Sequence, residues 1–266
     1  MSNNILEQIV AKRIKSVDIA RSKISLKNLS KKCQHLPETI SLYKKIRNSS
    51  QTALIAEMKR SSPSAGVLDS QLDPSERTET YCKAGASAIS VLTEQDYFKG
   101  SINDLKIASK IAHSYNIPVL RKDFIIDEYQ IYEARASGAD AILLIIGILD
   151  EESYQLFYNL SHDLQMDVLV EVFDDSELEK ALKLSPKLIG VNNRNLKTLE
   201  TNLSVFEHLS TKIPSSILKV AESGMKSFED IKKMSDIGAD AVLVGEALMK
   251  SDSKFEMISK ITKKHD

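Results

Sequence analysis

Three segments of this sequence repeat one another, and their spacing limits the folds that the chain can adopt. Each joins the end of a helical pattern to a glycine and a short apolar run: Ala84–Val91, Ser137–Leu144 and Ile237–Val244. From Gly85 to Gly138 is 53 residues and from Gly138 to Gly238 is 100, one and two steps of a common period. A glycine after a helix takes the left-handed conformation at little cost, so each segment predicts a helix followed by a strand.

Other apolar runs complete the series. Ser185–Val191 lies near the missing step of the period, without a glycine. Four further runs lie halfway between these strands: Ala53–Lys59, Ile117–Lys122, Asp167–Glu171 and Ile217–Glu222. Eight apolar strands with helical patterns between them predict a closed parallel (β/α)8 TIM barrel of the α/β class.

Residues typical of helix starts support these predicted positions of the helices and strands. Asp73, Asp127 and Ser227 each precede a helical pattern, and Pro74 stands at a first helical position. Aspartate and serine are preferred N-cap residues, and proline is tolerated in the first turn.

About 47 residues precede the first strand. Apolar residues recur there at helical spacing: Ile5, Leu6, Ile9, Val10, Ile14 and Val17. This pattern predicts an N-terminal helical extension that packs on the barrel. No linker or low-complexity stretch is found, so residues 1–266 are expected to form a single domain with residues 1–47 as its extension.

Composition excludes several classes of protein. The net charge of −1 predicts neither a nucleic-acid partner nor binding to an anionic membrane surface. The longest apolar run, Ala141–Ile146, is far shorter than the roughly 20 residues that span a bilayer. Cys33 and Cys82 lack metal-ligand spacing, and the five histidines form no metal motif, so no metal site is expected. No signal or transit peptide is recognised, which predicts a cytoplasmic protein.

Charged and amide side chains end five of the eight predicted strands. In the first strand, alternation places Glu57 and Lys59 on the same face, where they form either an ion pair or part of a site. The others are Lys122, Glu171, Asn192 with Arg194, and Glu222. Active sites of these barrels lie at the carboxyl ends of the strands. Convergent ammonium and carboxylate groups therefore predict an acid–base site at this mouth.

Two regions could hold a phosphate group. The segment Arg60–Gly66 after the first strand is rich in hydroxyl groups, although an ordinary loop has the same composition. The seventh and eighth strands end in Glu222–Gly224 and Val244–Glu246. Glycine lets backbone N–H groups approach an anion there, and loops after these two strands often bind phosphate.

Together these residues resemble the indole-3-glycerol phosphate synthase family over essentially the whole chain. The resemblance is carried by six stretches: Ile55–Gly66, Ser90–Glu94 with Tyr97–Phe98 and Gly100–Ser101, Leu120–Phe124, Gly190–Leu196, Ala221–Gly224 and Val244–Met249. It implies conversion of 1-(2-carboxyphenylamino)-1-deoxyribulose 5-phosphate to indole-3-glycerol phosphate in tryptophan biosynthesis, a carboxy-lyase reaction that releases carbon dioxide and water. No cofactor is implied.

The resemblance also implies roles for residues. Lys122 would be the general acid of ring closure, and Lys59 a second acid tuned by Glu57. Glu171 would act in dehydration, while Asn192 and Glu222 would orient the substrate. The implied substrate contacts are Arg194 and, around the phosphate, Ser62, Ser223, Gly224, Gly245 and the backbone of Glu246. The division of labour between the two lysines stays open. Ala65 and Asn195 depart from the residues common in the family, lysine and aspartate.

Three other functions are the alternatives to this one. Phosphoribosylanthranilate isomerase is expected to use a cysteine and an aspartate where this chain has Lys59 and Asn192. An imine-forming aldolase would use a lysine as nucleophile. A non-catalytic phosphate-binding barrel would not need the acid–base residues. The expected partner is a small phosphorylated substrate, the expected state is a monomer, and other tryptophan-pathway enzymes are possible partners.

Overall fold

The computed structural model describes residues 4–262 and contains a closed barrel of eight parallel strands. The barrel strands are β1 (Ala53–Met58), β4 (Ala88–Leu92), β5 (Val119–Lys122), β6 (Ala141–Ile145), β7 (Asp167–Val172), β8 (Leu188–Asn192), β9 (Leu218–Glu222) and β10 (Ala241–Val244). A short antiparallel hairpin, β2 (Ser61–Ser62) with β3 (Gly66–Val67), lies in the loop after β1. The barrel closes where β1 pairs with β10, so the predicted TIM barrel is confirmed.

Helices cover the outside of the barrel and its two ends. They are α1 (Ile5–Lys23), α2 (Leu26–Cys33), α3 (Leu42–Arg47), α4 (Pro74–Lys83), α5 (Ile102–Ser114), α6 (Glu128–Ala136), α7 (Glu151–Asp163), α8 (Asp175–Leu182), α9 (Ser204–Ser210), α10 (Phe228–Asp236), α11 (Glu246–Lys250) and α12 (Lys254–Thr262). Asp73, Asp127 and Ser227 accept hydrogen bonds from backbone N–H groups of the first turns of their helices, as predicted.

The repeated glycines have the predicted conformation. Gly85, Gly138 and Gly238 follow α4, α6 and α10 with φ of 99°, 91° and 95°. Ser185 occupies the corresponding place after α8 with φ of 47°, so a serine adopts the left-handed conformation that glycine has elsewhere. The β5 strand starts two residues later than predicted, at Val119, because Pro118 has no N–H for a strand ladder.

Alternation along the strands creates two apolar layers. Leu54, Ala56 and Met58 of β1 belong to the core between the strands and the outer helices, whereas Ala53 and Ile55 belong to a second core inside the barrel. The interior core includes Leu120, Leu169, Leu188, Val220 and Leu243 of other strands. Two residues further along each strand, the next side chain that points inward lies nearer the carboxyl-end mouth of the barrel. The polar residues that end the strands are found at these positions.

The N-terminal extension is helical, as predicted, and α1 reaches the carboxyl-end mouth of the barrel. Leu6 and Ile9 of α1 are buried within the interior core, and Val17 packs near Tyr129 of α6. Ile14, which the helical stripe placed on the packed face, is instead 52% exposed. Arg13 is buried in its place because its guanidinium pairs with the buried Asp123 carboxylate, Nη2 to Oδ2, at 3.1 Å.

The opposite end of the barrel is closed by α3. Its residues Leu42 and Ile46 are buried with Ala53 and Leu218 in the interior core. The segment before α3 is held to the barrel by hydrogen bonds from the Ile40 N–H to Asp140 and from the Ser41 hydroxyl to Asp167. Within the described part of the chain, none of the helices is both long and apolar enough to cross a membrane.

Candidate active site

A cavity of about 700 Å³ opens at the carboxyl ends of the strands. Eleven of the twelve residues predicted for the site line it: Glu57, Lys59, Ser62, Lys122, Glu171, Asn192, Arg194, Ser223, Gly224, Gly245 and Glu246. The twelfth, Glu222, lies just behind the wall, close to Lys122. The residues come from six of the eight barrel strands or the loops that follow them, and only closure of the barrel brings them together.

Lys122 is surrounded by carboxylates at the bottom of this cavity. Its ammonium Nζ lies 2.9 Å from Glu171 Oε2 and 3.4 Å from Glu222 Oε2. Asn192 Nδ2 donates to the other oxygen of Glu171, Oε1, at 3.0 Å. These contacts fix the Glu171 carboxylate between an ammonium and an amide group.

Lys59 forms a second ion pair in the cavity wall. Its Nζ lies 2.5 Å from Glu57 Oε1, and the side chain of Glu57 is 5% exposed. The ion-pair alternative considered for these two residues is therefore observed. Because both residues also line the cavity, the pair belongs to the site as well.

The carboxylates control the charge of Lys122. Burial lowers the pKa of its ammonium, but attraction by Glu171, Glu222 and Glu57 outweighs burial and raises the pKa well above its ordinary value. Lys122 is therefore a protonated donor throughout the neutral range. A charged lysine is the form that can give a proton to a substrate oxygen.

Glu222 responds in the opposite way. Burial raises the pKa of its carboxyl to about 8, because the attraction of Lys122 only partly offsets the loss of hydration and the repulsion by Glu171 and Glu57. Neither of its carboxylate oxygens has a hydrogen-bond partner among residues 4–262. Near neutral pH a large share of Glu222 is therefore neutral, which relieves the crowding of three carboxylates around one ammonium.

Backbone turns and short side chains form the other end of the cavity. Ser223 and Gly224, directly after β9, have φ of 60° and 80° and follow the buried Glu222. Gly245 is the N-cap of α11, and Glu246 is its first residue. The first N–H groups of a helix have no partner within the helix, so backbone donors are available at this end for an anion.

Arg194 and Ser62 border the same end. Arg194 donates from Nη1 to the Leu199 carbonyl at 2.9 Å, and its Nη2 lies 3.5 Å from Glu246 Oε2. The Ser62 hydroxyl accepts a hydrogen bond from the Ala65 N–H at 3.1 Å. Ala65 therefore contributes its backbone to the shape of this loop, although its side chain has no charge to offer.

The predicted list missed the apolar part of the cavity. Leu6 and Ile9 of α1 line it, as do Phe98 and Phe124, whose ring centroids are 6.0 Å apart. These surfaces suit an aromatic ring. Leu6 and Ile9 belong to the apolar stripe of the N-terminal helix, and Phe98 and Phe124 belong to stretches that carry the family resemblance. The sequence did not indicate that these side chains face the cavity.

Lys226 was also missed. It follows Gly224 and Met225 after β9, is exposed, and lines the cavity. Its position in a turn that continues to α10 gives no periodic signal.

Within residues 4–262, no group of three or more His, Cys, Asp or Glu side chains is arranged to hold a metal ion.

Glu94 shapes the loop that carries Phe98. Its fully buried carboxylate accepts hydrogen bonds from three successive N–H groups, those of Asp96, Tyr97 and Phe98, at 2.8, 2.7 and 2.9 Å.

We expect Glu94→Ala to raise KM for the substrate about 10-fold with a small change in kcat. Each N–H group left without a partner costs about 1–3 kcal/mol, so the loop no longer keeps its conformation. Steady-state kinetics test this, with Glu79→Ala on the exposed face of α4 as control. An unchanged KM would contradict it.

Glu177 on α8 is a half-buried carboxyl outside the cavity lining. Burial raises its pKa to about 7, although the Phe173 N–H donates to it at 2.8 Å. Between pH 4.5 and about 7 this carboxyl holds a proton in the folded chain but releases it in the unfolded chain. The free energy of unfolding therefore falls as the pH rises through this range.

Glu177→Gln should therefore raise Tm more at pH 8 than at pH 5. Glu179→Gln, on the same helix but exposed, is the control; equal shifts at both pH values would oppose this expectation.

The chain is similar to known proteins over most of its length. The family model described as indole-3-glycerol phosphate synthase matches residues 6–261. A protein of that name from Dehalococcoides mccartyi strain CBDB1 is 44% identical over 93% of this chain and 95% of its own length. Another, from Acetivibrio thermocellus, is 40% identical over 96% of this chain and 97% of its own.

The chain is also similar to part of a longer protein and, in fold alone, to a solved structure. A multifunctional tryptophan biosynthesis protein of Schizosaccharomyces pombe is 44% identical over 93% of this chain, which corresponds to 33% of that protein. The solved structure of thiamine phosphate pyrophosphorylase from Pyrococcus furiosus has a TM-score of 0.62 over 83% of this chain and 96% of its own, at 14% identity, and shows the fold alone. The match over residues 6–261 and the relatives at 40–44% identity lead to one conclusion: the chain belongs to the indole-3-glycerol phosphate synthase family.

Proposed function

We propose that the cavity closes the indole ring of 1-(2-carboxyphenylamino)-1-deoxyribulose 5-phosphate and releases indole-3-glycerol phosphate, carbon dioxide and water by acid–base catalysis. One observation carries the assignment of this chemistry to particular residues. Lys122 lies between Glu171 and Glu222, which favour its protonated form, at the bottom of a cavity with an apolar end and an end rich in backbone donors.

Ring closure requires a proton donor. The aromatic carbon that bears the carboxylate attacks the ribulose carbonyl, and the carbonyl oxygen takes a proton as the carbon–carbon bond forms. Lys122 is the donor in our proposal. An ammonium group is suited to this step because ionised aspartate or glutamate has no proton to give at neutral pH.

The later steps need a base and a second donor. Loss of carbon dioxide restores the benzene ring and leaves the new five-membered ring with its hydroxyl. Protonation and expulsion of this hydroxyl as water, with loss of a proton from the ring, make the five-membered ring aromatic. Glu171 is positioned by Lys122 and Asn192 to take that proton, and we assign it to dehydration. Lys59, held by Glu57, serves as the second acid or positions the substrate, while Asn192 and Glu222 orient it.

The substrate's charge explains the cations around the cavity. A phosphate and a carboxylate bring about three negative charges at neutral pH, a load that favours protonated lysines nearby. We assign the phosphate to Ser62, Ser223, Gly224, Gly245 and the backbone of Glu246, with Arg194 as a further substrate contact. The aromatic ring then lies against Phe98, Phe124 and α1.

We further propose that the extension and the barrel act together as one domain, with Leu6 and Ile9 completing the substrate cavity. The protein is proposed to work as a monomer in the cytoplasm and to use no cofactor. Sedimentation of the purified chain at micromolar concentration tests the monomer.

The proposed activity is tested directly with purified protein, the carboxyphenylamino deoxyribulose phosphate and EDTA. Product formation is followed by indole absorbance and fluorescence, with no added nucleotide. We expect continuous turnover. Absence of product from correctly folded protein would favour a binding barrel, and borohydride-dependent labelling of Lys59 or Lys122 would favour an imine-forming aldolase.

A further inference from the structure

Two glycines lie against carboxylates of our proposed mechanism: Gly245, which lines the cavity, and Gly190, which does not. A Cβ atom added at Gly190, in the middle of β8, would lie 1.9 Å from Glu222 Oε1 and 3.1 Å from its Cδ. A Cβ added at Gly245 would lie 2.3 Å from Glu57 Oε1 and 3.0 Å from its Cδ. Separations under 3.0 Å are essentially never found for real Cβ atoms, so neither position tolerates a side chain without movement of the carboxylate.

A left-handed backbone does not explain the glycine at either position. Gly245 has φ of −125°, and Gly190 is a regular strand residue paired with Glu171 of β7 and Val220 of β9. The extended conformation of a strand is open to residues with side chains. Glycine at residue 190 therefore provides space for the carboxylate, unlike Gly85 or Gly138, whose φ is positive.

The space matters most for Glu222, because no hydrogen bond fixes its carboxylate among the described residues. Its side chain is 1% exposed and lies 3.4 Å from Lys122 Nζ. Packing against the bare backbone of β8 therefore helps to hold the carboxylate at this distance. Glu57, by comparison, is also held by its ion pair with Lys59.

We propose that Gly190 and Gly245 are positioning residues, which let the carboxylates of Glu222 and Glu57 lie against bare backbone and so set their distances from Lys122 and Lys59. This inference rests on the proposed function, since it assigns a purpose to those distances. Gly190 acts through Glu222 alone. Gly245 has this task in addition to its place near the substrate phosphate.

Gly190→Ala is the most informative variant. Restoring the 3.0 Å separation requires Glu222 Oε1 to move by about 1 Å, and the atom in the way is the far end of a side chain, so the carboxylate moves more readily than the backbone. Misplacement by about 1 Å can lower a rate about 100-fold. We expect kcat to fall about 10- to 100-fold, with KM changed by less than about threefold.

The chain provides a matched control in Gly147. A Cβ there would lie 2.5 Å from Glu177 Oε1, a similar contact between a glycine and the end of a glutamate. Neither Gly147 nor Glu177 lines the cavity, so Gly147→Ala should keep kcat within about twofold of the unmodified enzyme. A loss of kcat equal to that of Gly190→Ala would overturn the proposal, because general disturbance by an added methyl group would then explain both.

A double variant separates positioning from packing of β8. In a Glu222→Ala background the added methyl at residue 190 meets no carboxylate. There Gly190→Ala should change kcat less than about twofold, and Tm lost in the single variant should be recovered. The same fold loss in both backgrounds, or a double variant that fails to fold, would overturn the proposal.

A readout without turnover keeps this test separate from the proposed function. A ¹³C NMR titration follows the Glu222 carboxyl in enzyme labelled at glutamate, with Glu222→Gln to assign its signal. The titration midpoint should shift in Gly190→Ala and stay unchanged in Gly147→Ala. An unchanged midpoint in Gly190→Ala would overturn the proposal even if the enzyme were active, whereas a shifted midpoint in a protein without product formation would contradict only the proposed function.

Discussion

Replacement of Lys122 by methionine is expected to abolish measurable turnover, with kcat lowered at least about 10³-fold while substrate binding is largely retained. Methionine fills a similar volume but offers no proton to the carbonyl oxygen. The side chain lies within 3.4 Å of two carboxylates, and removal of its charge leaves them without a counter-ion. Glu222 can then take up a proton, since burial already raises its pKa to about 8. The surrounding cavity is therefore expected to persist.

The measurement for Lys122→Met combines single-turnover kinetics with calorimetric titration of the substrate. Lys110→Met, the same change at an exposed position of α5, is the control and should match the unmodified enzyme. Turnover near the normal rate in Lys122→Met would remove this residue from the chemistry. Complete loss of binding would instead assign it to substrate recognition.

Glu171→Gln is expected to lower the rate of indole formation about 10²- to 10³-fold by blocking dehydration after ring closure. The amide keeps the shape of the side chain and its contact with Lys122 or Asn192, but it cannot accept the proton. We therefore expect a burst of carbon dioxide, up to one equivalent per site, without matching indole fluorescence.

Rapid-quench analysis of carbon dioxide and indole tests the Glu171 prediction, with Glu152→Gln on the exposed surface of α7 as control. Equal loss of both signals would show that Glu171 acts before decarboxylation. Unchanged rates of both would exclude it from the chemistry.

Much of the fold was predictable because two physical constraints are local. The glycine after a helix needs a left-handed backbone, and Gly85, Gly138 and Gly238 have it, so the phase of the helix–strand units could be read from the sequence. Strand alternation then puts Glu57 one inward position beyond Ile55, at the mouth. The strand ends likewise indicated the acid–base residues, whereas the family resemblance supplied Ser62 and the other phosphate contacts among the eleven predicted residues that line the cavity.

Features that depend on contacts between distant segments were not predictable. Arg13 is buried and Ile14 exposed because Asp123, 110 residues away, supplies a partner for the guanidinium. Periodicity alone could not choose between the two. Gly190 is a similar case, since its neighbour Glu222 comes from the adjacent strand, 32 residues later in the chain. The aromatic wall likewise requires the loop fold that Glu94 imposes on Phe98.

The most direct test of the account uses substrate labelled with ¹³C in its carboxylate and follows the fate of the label by NMR. Indole-ring closure in this cavity predicts one equivalent of labelled carbon dioxide for each indole-3-glycerol phosphate formed by the unmodified enzyme, and neither product from Lys122→Met. Label retained in a converted product would contradict the account, because an isomerase or an aldolase would leave the carboxylate attached to the ring.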